Sequence, residues 1–253
     1  MLDLARERCQ FENTIYRYMP PFATLRRLRR AGWRLSDAFK PRAGLGTPSR
    51  FAVGAYVRVK DEAAIRATLD ENDALRGLTF TRAQWDSCGK TFRVQTVVRR
   101  MMNDKGLMRA IGRTVALDDV TCGGPRDDDG CGRACPLLFR DEWLEPSSEE
   151  RAEPRVYERY ARVKPLAAIL ETLDARGVRA GVAFAPVMAR FAGARLPISK
   201  QVEPVAATGW RRSGAEWYVL AGARCGGESL ASDGPCHRGC GLLWHRDWLT
   251  FES

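Results

Sequence analysis

Histidine is nearly absent from this chain: His237 and His245 are the only two in 253 residues. There is no His-Glu-x-x-His pair, no Gly-x-Ser-x-Gly elbow and no Gly-rich phosphate loop, which removes the familiar metalloprotease, hydrolase and kinase readings. Apolar runs of the roughly 20 residues needed to span a bilayer are missing as well. The N-terminus lacks the apolar region and small-residue cleavage site of a secretory signal, so the expectation is a cytoplasmic protein without a transmembrane segment. Acidic residues are scarce at the same end. Residues 1–50 hold eleven Lys and Arg against four Asp and Glu, which places +7 of the +10 formal charge in that segment.

What is present is enough apolar material, 45% of residues, to bury a sizeable core, and eight cysteines. In a reducing compartment clustered cysteines point to metal ligation or redox chemistry rather than to disulfide staples. Seven of the eight fall in two groups that occupy matching places in the two halves of the chain, and Cys9 stands apart.

The halves are an internal duplication. Tyr56-Val-Arg-Val-Lys60, Ala63-Ala64-Ile65 and Thr68-Leu69-Asp70 return about 104 residues later as Tyr160-Ala-Arg-Val-Lys164, Ala167-Ala168-Ile169 and Thr172-Leu173-Asp174. Gly77 and Phe80 recur as Gly181 and Phe184, and Cys122-Gly-Gly as Cys225-Gly-Gly. The segment from Cys131 through Cys135 to Trp143 recurs from Cys236 through Cys240 to Trp248. Between the copies lies Pro146 to Pro154, polar and bracketed by prolines, which reads as a linker. Three regions follow: a basic helical extension over 1–50, a first copy over 51–146 and a second over 155–253.

Alternation predicts strands over Phe51–Lys60 and Arg155–Lys164. Asp61 is placed as the N-cap of a helix over Glu62–Leu69, and a helical turn is expected around Thr81–Ser87. Strands over Thr91–Arg99 and within Leu107–Leu117 complete a pattern of about five short strands with an inserted helix, the signature of a small barrel. Trp143 and Trp248 are placed in the barrel cores.

Cys88, Cys122, Cys131 and Cys135 form a four-thiolate set of the kind that encloses zinc, with the close pair at C-x3-C spacing beside glycines that let the backbone curl. Buried apolar thiols and an iron–sulfur cluster are the alternatives. The second copy keeps Cys225, Cys236 and Cys240, but Ala192 stands where Cys88 stands in the first. Its fourth position is filled by His237, by a more distant group such as Cys9 or His245, or by water. The last arrangement is that of an open, catalytic zinc. Asp141, Glu142 and Asp247, just downstream of the close cysteine pairs, are of a type that could act as general bases near a metal, though most exposed carboxylates do not.

Phe51-Ala-Val-Gly-Ala-Tyr-Val-Arg-Val resembles the opening strand of SH3-like barrels, including that of the nitrile hydratase β-subunit. The longer string, with Cys88-Gly-Lys-Thr-Phe-Arg-Val94, Cys122, Cys131-Gly-Arg-Ala-Cys135 and Phe139-Arg-Asp-Glu-Trp143-Leu, resembles a family of uncharacterised bacterial proteins with a Cys-Gly-Lys-x-Phe-x-Val segment and a cysteine cluster ending in Trp-Leu. The resemblance implies zinc-bearing SH3-like units encoded near sugar or natural-product biosynthesis genes, and it supplies no activity. It covers 51–146 well and 155–250 less well, because Ala192 and Leu196-Pro197-Ile198 depart from the pattern.

The fold class expected is therefore mainly β: two tandem SH3-like barrels with short inserted helices and a basic helical N-terminal extension. One zinc ion is expected and two are possible. The leading functional expectation is a zinc-stabilised binding or scaffold protein accessory to a biosynthetic pathway, with a zinc-dependent enzyme using an open metal site in the second copy, its substrate unassigned, as the alternative. A third expectation rests on Leu25-Arg-Arg-Leu-Arg-Arg-Ala-Gly-Trp-Arg-Leu35, a cationic amphipathic helix whose Arg26, Arg27, Arg29, Arg30 and Arg34 suit RNA, DNA or an acidic protein. If phosphates are its target, affinity for RNA falls by orders of magnitude between roughly 50 and 200 mM salt. Changing Arg26, Arg27, Arg29 and Arg30 to glutamate then abolishes binding in a filter-retention or anisotropy assay. Salt-insensitive binding removes the reading.

Overall fold

The computed structural model describes residues 44–102, 108–122, 135–148, 156–175, 177–202, 216–227 and 236–252. The expected basic helix with Arg26, Arg27, Arg29, Arg30 and Arg34, together with Cys9 and Cys131, lies outside the described residues.

Each copy begins with a short extended run. β1 (Tyr56–Val59) is shorter than alternation predicts, because Gly54 at φ +89° turns the chain and Ala55 N–H bonds back to Ala52 O. Asp61 then caps α1 (Glu62–Arg66) by accepting from Ala64 N–H at 2.7 Å. The helix stops before the expected Leu69. Thr68 and Leu69 bond back to the third preceding carbonyl instead of the fourth, and the Thr68 hydroxyl occupies the Ile65 carbonyl. A small hairpin of β2 (Ala74–Leu75) and β3 (Leu78–Thr79) and the single turn α2 (Arg82–Trp85) lead to β4 (Thr91–Val97). β5 (Arg100–Met102) and β6 (Met108–Ala110) form a side hairpin. β7 (Thr114–Thr121), β8 (Pro136–Arg140), a 3-10 turn over Asp141–Trp143 and β9 (Leu144–Pro146) finish the copy.

The second copy repeats this order. β10 (Tyr160–Val163), α3 (Leu166–Leu170), the hairpin β11 (Val178–Arg179) and β12 (Val182–Ala183), and a 3-10 turn over Pro186–Phe191 come first. β13 (Arg195–Val202), β14 (Trp217–Arg224), β15 (Gly241–His245), a 3-10 turn over Arg246–Trp248 and β16 (Leu249–Glu252) follow.

The protein is thus mainly β, with one curled five-stranded antiparallel sheet per copy. The strand orders are β8-β7-β4-β1-β9 and β15-β14-β13-β10-β16, which are the same path walked twice. In each, the first strand of the copy pairs with both the middle strand and the last. The concave faces hold separate cores built from matching residues: Val59, Ile65, Phe80, Phe139, Trp143 and Leu144 in the first, Val163, Ile169, Phe184, Trp244, Trp248 and Leu249 in the second. Trp143 and Trp248 are completely buried, as the sequence placed them. Their indole N–H groups reach Thr68 and Thr172 hydroxyls at 3.0 and 2.8 Å, so neither tryptophan buries an unpaired donor.

One paired exchange distinguishes the copies. Arg140, buried at the end of β8, donates to Thr114 Oγ1 and to the Gly112, Leu75 and Arg76 carbonyls. In the second copy His245 and Trp217 hold the corresponding register and pack edge to face at 4.8 Å. Burial, partly offset by Asp247, pushes the His245 imidazole below the ordinary histidine value of 6.5. The unfolded chain therefore binds this proton more readily, and the stability the neutral ring contributes is present above pH 6.5 and lost as the pH falls toward the lower folded value. Thermal melts through that window should show a declining midpoint in the native protein. His245→Gln, which keeps an acceptor for Asp247 N–H, should flatten that part of the decline.

Candidate metal centres

In an antiparallel sheet the start of one strand lies beside the end of the next. Cys88 precedes β4, Cys122 follows β7 and Cys135 precedes β8, so topology brings these three cysteines to one end of the first sheet. All three belong to the same core: Cys122 and Cys135 are buried in it and Cys88 packs against it. Cys122 N–H donates to the Cys135 carbonyl at 2.9 Å, and Cys135 N–H donates to Cys122 Sγ at 3.3 Å. Burial, then Glu62 and Asp61, raises the Cys88 thiol above its usual range. Without a cation nearby, that thiol stays protonated at neutral pH.

The second copy reproduces the closure. Cys225 N–H donates to the Cys240 carbonyl at 2.8 Å, in the manner of Cys122 and Cys135. Ala192 holds the place of Cys88: Ala192 and Cys88 both close a turn by bonding to the third preceding carbonyl, and Gly193 and Gly89 both donate to the first strand of their copy. The Cys225 and Cys236 segments are pressed together. Gly227 N–H donates to Cys225 Sγ at 3.4 Å and accepts from Cys236 N–H at 3.0 Å through its carbonyl. A Cβ on Gly227, which sits at φ +74°, would lie 1.7 Å from the Cys236 carbonyl oxygen.

Burial raises the Cys236 thiol, Cys240 adds to the effect, and backbone hydrogen bonds from Met102 and Arg238 pull it back. Met102 belongs to the first copy. So do the partners of His237, whose N–H donates to the Arg100 carbonyl at 2.9 Å and whose Nδ1 accepts from Arg99 N–H at 3.3 Å. A neutral imidazole that accepts at Nδ1 carries its proton on Nε2. In this arrangement His237 has no lone pair to offer a metal, and a ligand role requires the Arg99 bond to break.

The other proposed helpers lie elsewhere. His245 closes β15 at the end opposite Cys240, about 16 Å away along an extended strand. It accepts from Asp247 N–H and is buried against Trp217 and Trp248. Asp141, Glu142 and Asp247 follow the same far ends of β8 and β15, so an intervening strand separates each from the close cysteine pair upstream. Asp141 accepts from the Ser49 hydroxyl and Arg50 N–H, Glu142 pairs with Arg76 and Arg113, and Asp247 with Arg179.

Among the described residues, no three His, Cys, Asp or Glu side chains already stand close enough to hold a metal ion. No disulfide joins the described cysteines to one another. Backbone N–H groups point at Cys122 and Cys225 sulfur, and Gly227 packs against the Cys236 backbone with no room for a side chain. The contact from Arg99, Arg100 and Met102 to the second cysteine cluster carries no sequence signal, since Val97-Val-Arg-Arg-Met-Met102 has no period that marks a docking edge.

Gly227→Ala should separate the Cys225 and Cys236 segments. The expected result is lost protection of Cys236 from a thiol-alkylating reagent in the zinc-loaded protein, with Cys122 and Cys135 unaffected.

Comparison with known proteins finds no matching family model, no matching curated protein and no matching solved structure.

Proposed function

We propose that this chain is a zinc-stabilised, non-catalytic binding or scaffold protein made of two SH3-like barrels, accessory to a bacterial biosynthetic pathway. The SH3-like reading is supported by a meander of five antiparallel strands whose last strand returns, after a 3-10 turn, to pair with the first. The pathway comes from the resemblance noted in the sequence.

The observation that carries the metal reading is the gathering of Cys88, Cys122 and Cys135 at one end of the first sheet, with a backbone N–H on Cys122 sulfur. Cys131 is the fourth thiolate of this site. Thiolates favour zinc over hard cations such as magnesium or calcium, and a closed four-thiolate shell is structural, with no position left for substrate. The non-catalytic reading is supported by the carboxylates at the opposite barrel end, each held in hydrogen bonds or ion pairs. The partner is an acidic protein or a nucleic acid engaged by the basic N-terminal segment.

A structural zinc ion is worth roughly 10–16 kcal/mol of apparent binding free energy, as much as the whole stability of an ordinary domain. Cys131→Ser should therefore unfold the first barrel while the second keeps its native tryptophan fluorescence, and elemental analysis should show one zinc ion fewer per chain. A variant with native zinc content and an unchanged melting profile would overturn the reading.

A further inference from the structure

We propose that the outer faces of β1 and β10 are two equivalent docking surfaces for a single nucleic-acid strand, built on Tyr56, Arg58 and Lys60 in the first copy and on Tyr160, Arg162 and Lys164 in the second. This deepens the partner reading above: to the basic N-terminal segment it adds a surface that each barrel carries.

Strand geometry alone gathers these side chains. Alternate residues of a strand share a face and stand about 7 Å apart. Val57 and Val59 enter the first core and Ala161 and Val163 the second, so the tyrosine and arginine of each copy lie on the opposite face. Lys60 and Lys164 continue the two rows past the strand ends, because their N–H groups still bond to the closing segment, at the Trp143 and Trp248 carbonyls. An outer face has only to be polar, and nothing in either core asks for Tyr-x-Arg-x-Lys there.

The duplication offers two versions of this face for comparison. The positions around the central arginine all differ. Thr91 and Glu145 flank Arg58, whereas Arg195 and Thr250 flank Arg162. Arg93 stands opposite Tyr56, and Pro197 stands opposite Tyr160. The row itself is unchanged, and the charge around it is supplied from other places. β4 or β13 contributes a third cation, Arg93 or Arg195, and the closing strand contributes one carboxylate, Glu145 or Glu252. Arg162 and Arg195 face each other directly, which folding alone disfavours.

The chemistry of the row selects the ligand. The Arg58 and Arg162 side chains are 50% and 53% exposed, so water screens their pairs with Glu145 and Glu252 and a phosphate can take the carboxylate's place. Beside them the Arg195 guanidinium lies 3.9 Å from the centroid of the Tyr160 ring. Aromatic rings and guanidinium planes are the surfaces on which unstacked bases lie. Cations at alternate positions follow the phosphates of an extended strand, and the tyrosine takes a base. A duplex keeps its base faces covered, and an acidic protein has no bases to stack. Ring faces and cations do not read the 2′-hydroxyl, so RNA and DNA strands of one sequence bind alike.

The test follows anisotropy of an end-labelled single strand of mixed sequence added to the full-length chain. Tyr56→Ala combined with Tyr160→Ala should weaken binding roughly five- to 150-fold. Lys60→Gln combined with Lys164→Gln should flatten the slope of log affinity against log salt by about 0.7 per lysine. Glu145→Gln combined with Glu252→Gln should tighten binding roughly 1.5- to fivefold, a gain that no misfolded chain produces. The strand annealed to its complement should bind more weakly than alone. All of these effects should persist when Arg26, Arg27, Arg29 and Arg30 are changed to glutamine. Affinity that is lost with those four arginines and indifferent to the tyrosine and lysine changes would overturn the barrel surfaces and leave the N-terminal reading standing. Equal competition by polyglutamate of the same charge would replace the nucleic acid with an acidic protein. No binding of either an RNA or a DNA strand would remove the nucleic-acid partner from both places.

Discussion

The pairing of the last strand of each copy with its first governs what the rest of the structure can do. β9 and β16 return to β1 and β10 only because a 3-10 turn reverses the chain over a fully buried tryptophan. That ring fits because a threonine at the end of the inserted helix accepts its N–H, and the threonine in turn donates to the helix carbonyl three residues back. Helix end, turn and closing strand are therefore held by one chain of hydrogen bonds. Removing the threonine hydroxyl leaves a buried indole donor without its partner, a cost of about 1–3 kcal/mol.

Pairing in this manner gives each curled sheet two chemically different ends. Strand direction sends Cys122, Cys135, Cys225 and Cys240 to one end and Arg140, Asp141, His245 and Asp247 to the other. The far end is polar: Arg140 has main-chain acceptors, Asp141 has an amide donor and Asp247 an arginine. The cysteine end is where backbone N–H groups meet sulfur, and in the second copy it is also where the two barrels touch.

Much of this was legible in the residues themselves. The repeated Tyr-x-Arg-Val-Lys and Thr-Leu-Asp strings marked equivalent strands and turns, since the hydroxyl of each Thr and the carboxylate of each Asp make the same local bonds in both copies. Asp61 announced its helix because an N-cap needs only neighbours in sequence. The hairpin β5–β6 and its hold on His237 were not legible. A two-histidine chain makes any histidine beside a cysteine look like a ligand, and only the position of Arg99, 138 residues away, shows the other use of its Nδ1. The same limit explains the carboxylates, whose distance from the cysteines depends on strand direction rather than on separation along the chain.

The differences between the copies follow one physical rule: partners change together. Where the first copy pairs Arg140 with Thr114, the second pairs His245 with Trp217, and a lone exchange at either position would bury an arginine against an indole without its hydroxyl, or a small threonine against an imidazole sized for a ring. The cysteine sets break this rule at a single position, since Ala192 replaces Cys88 while Cys225 and Cys240 keep the backbone bond that joins Cys122 and Cys135.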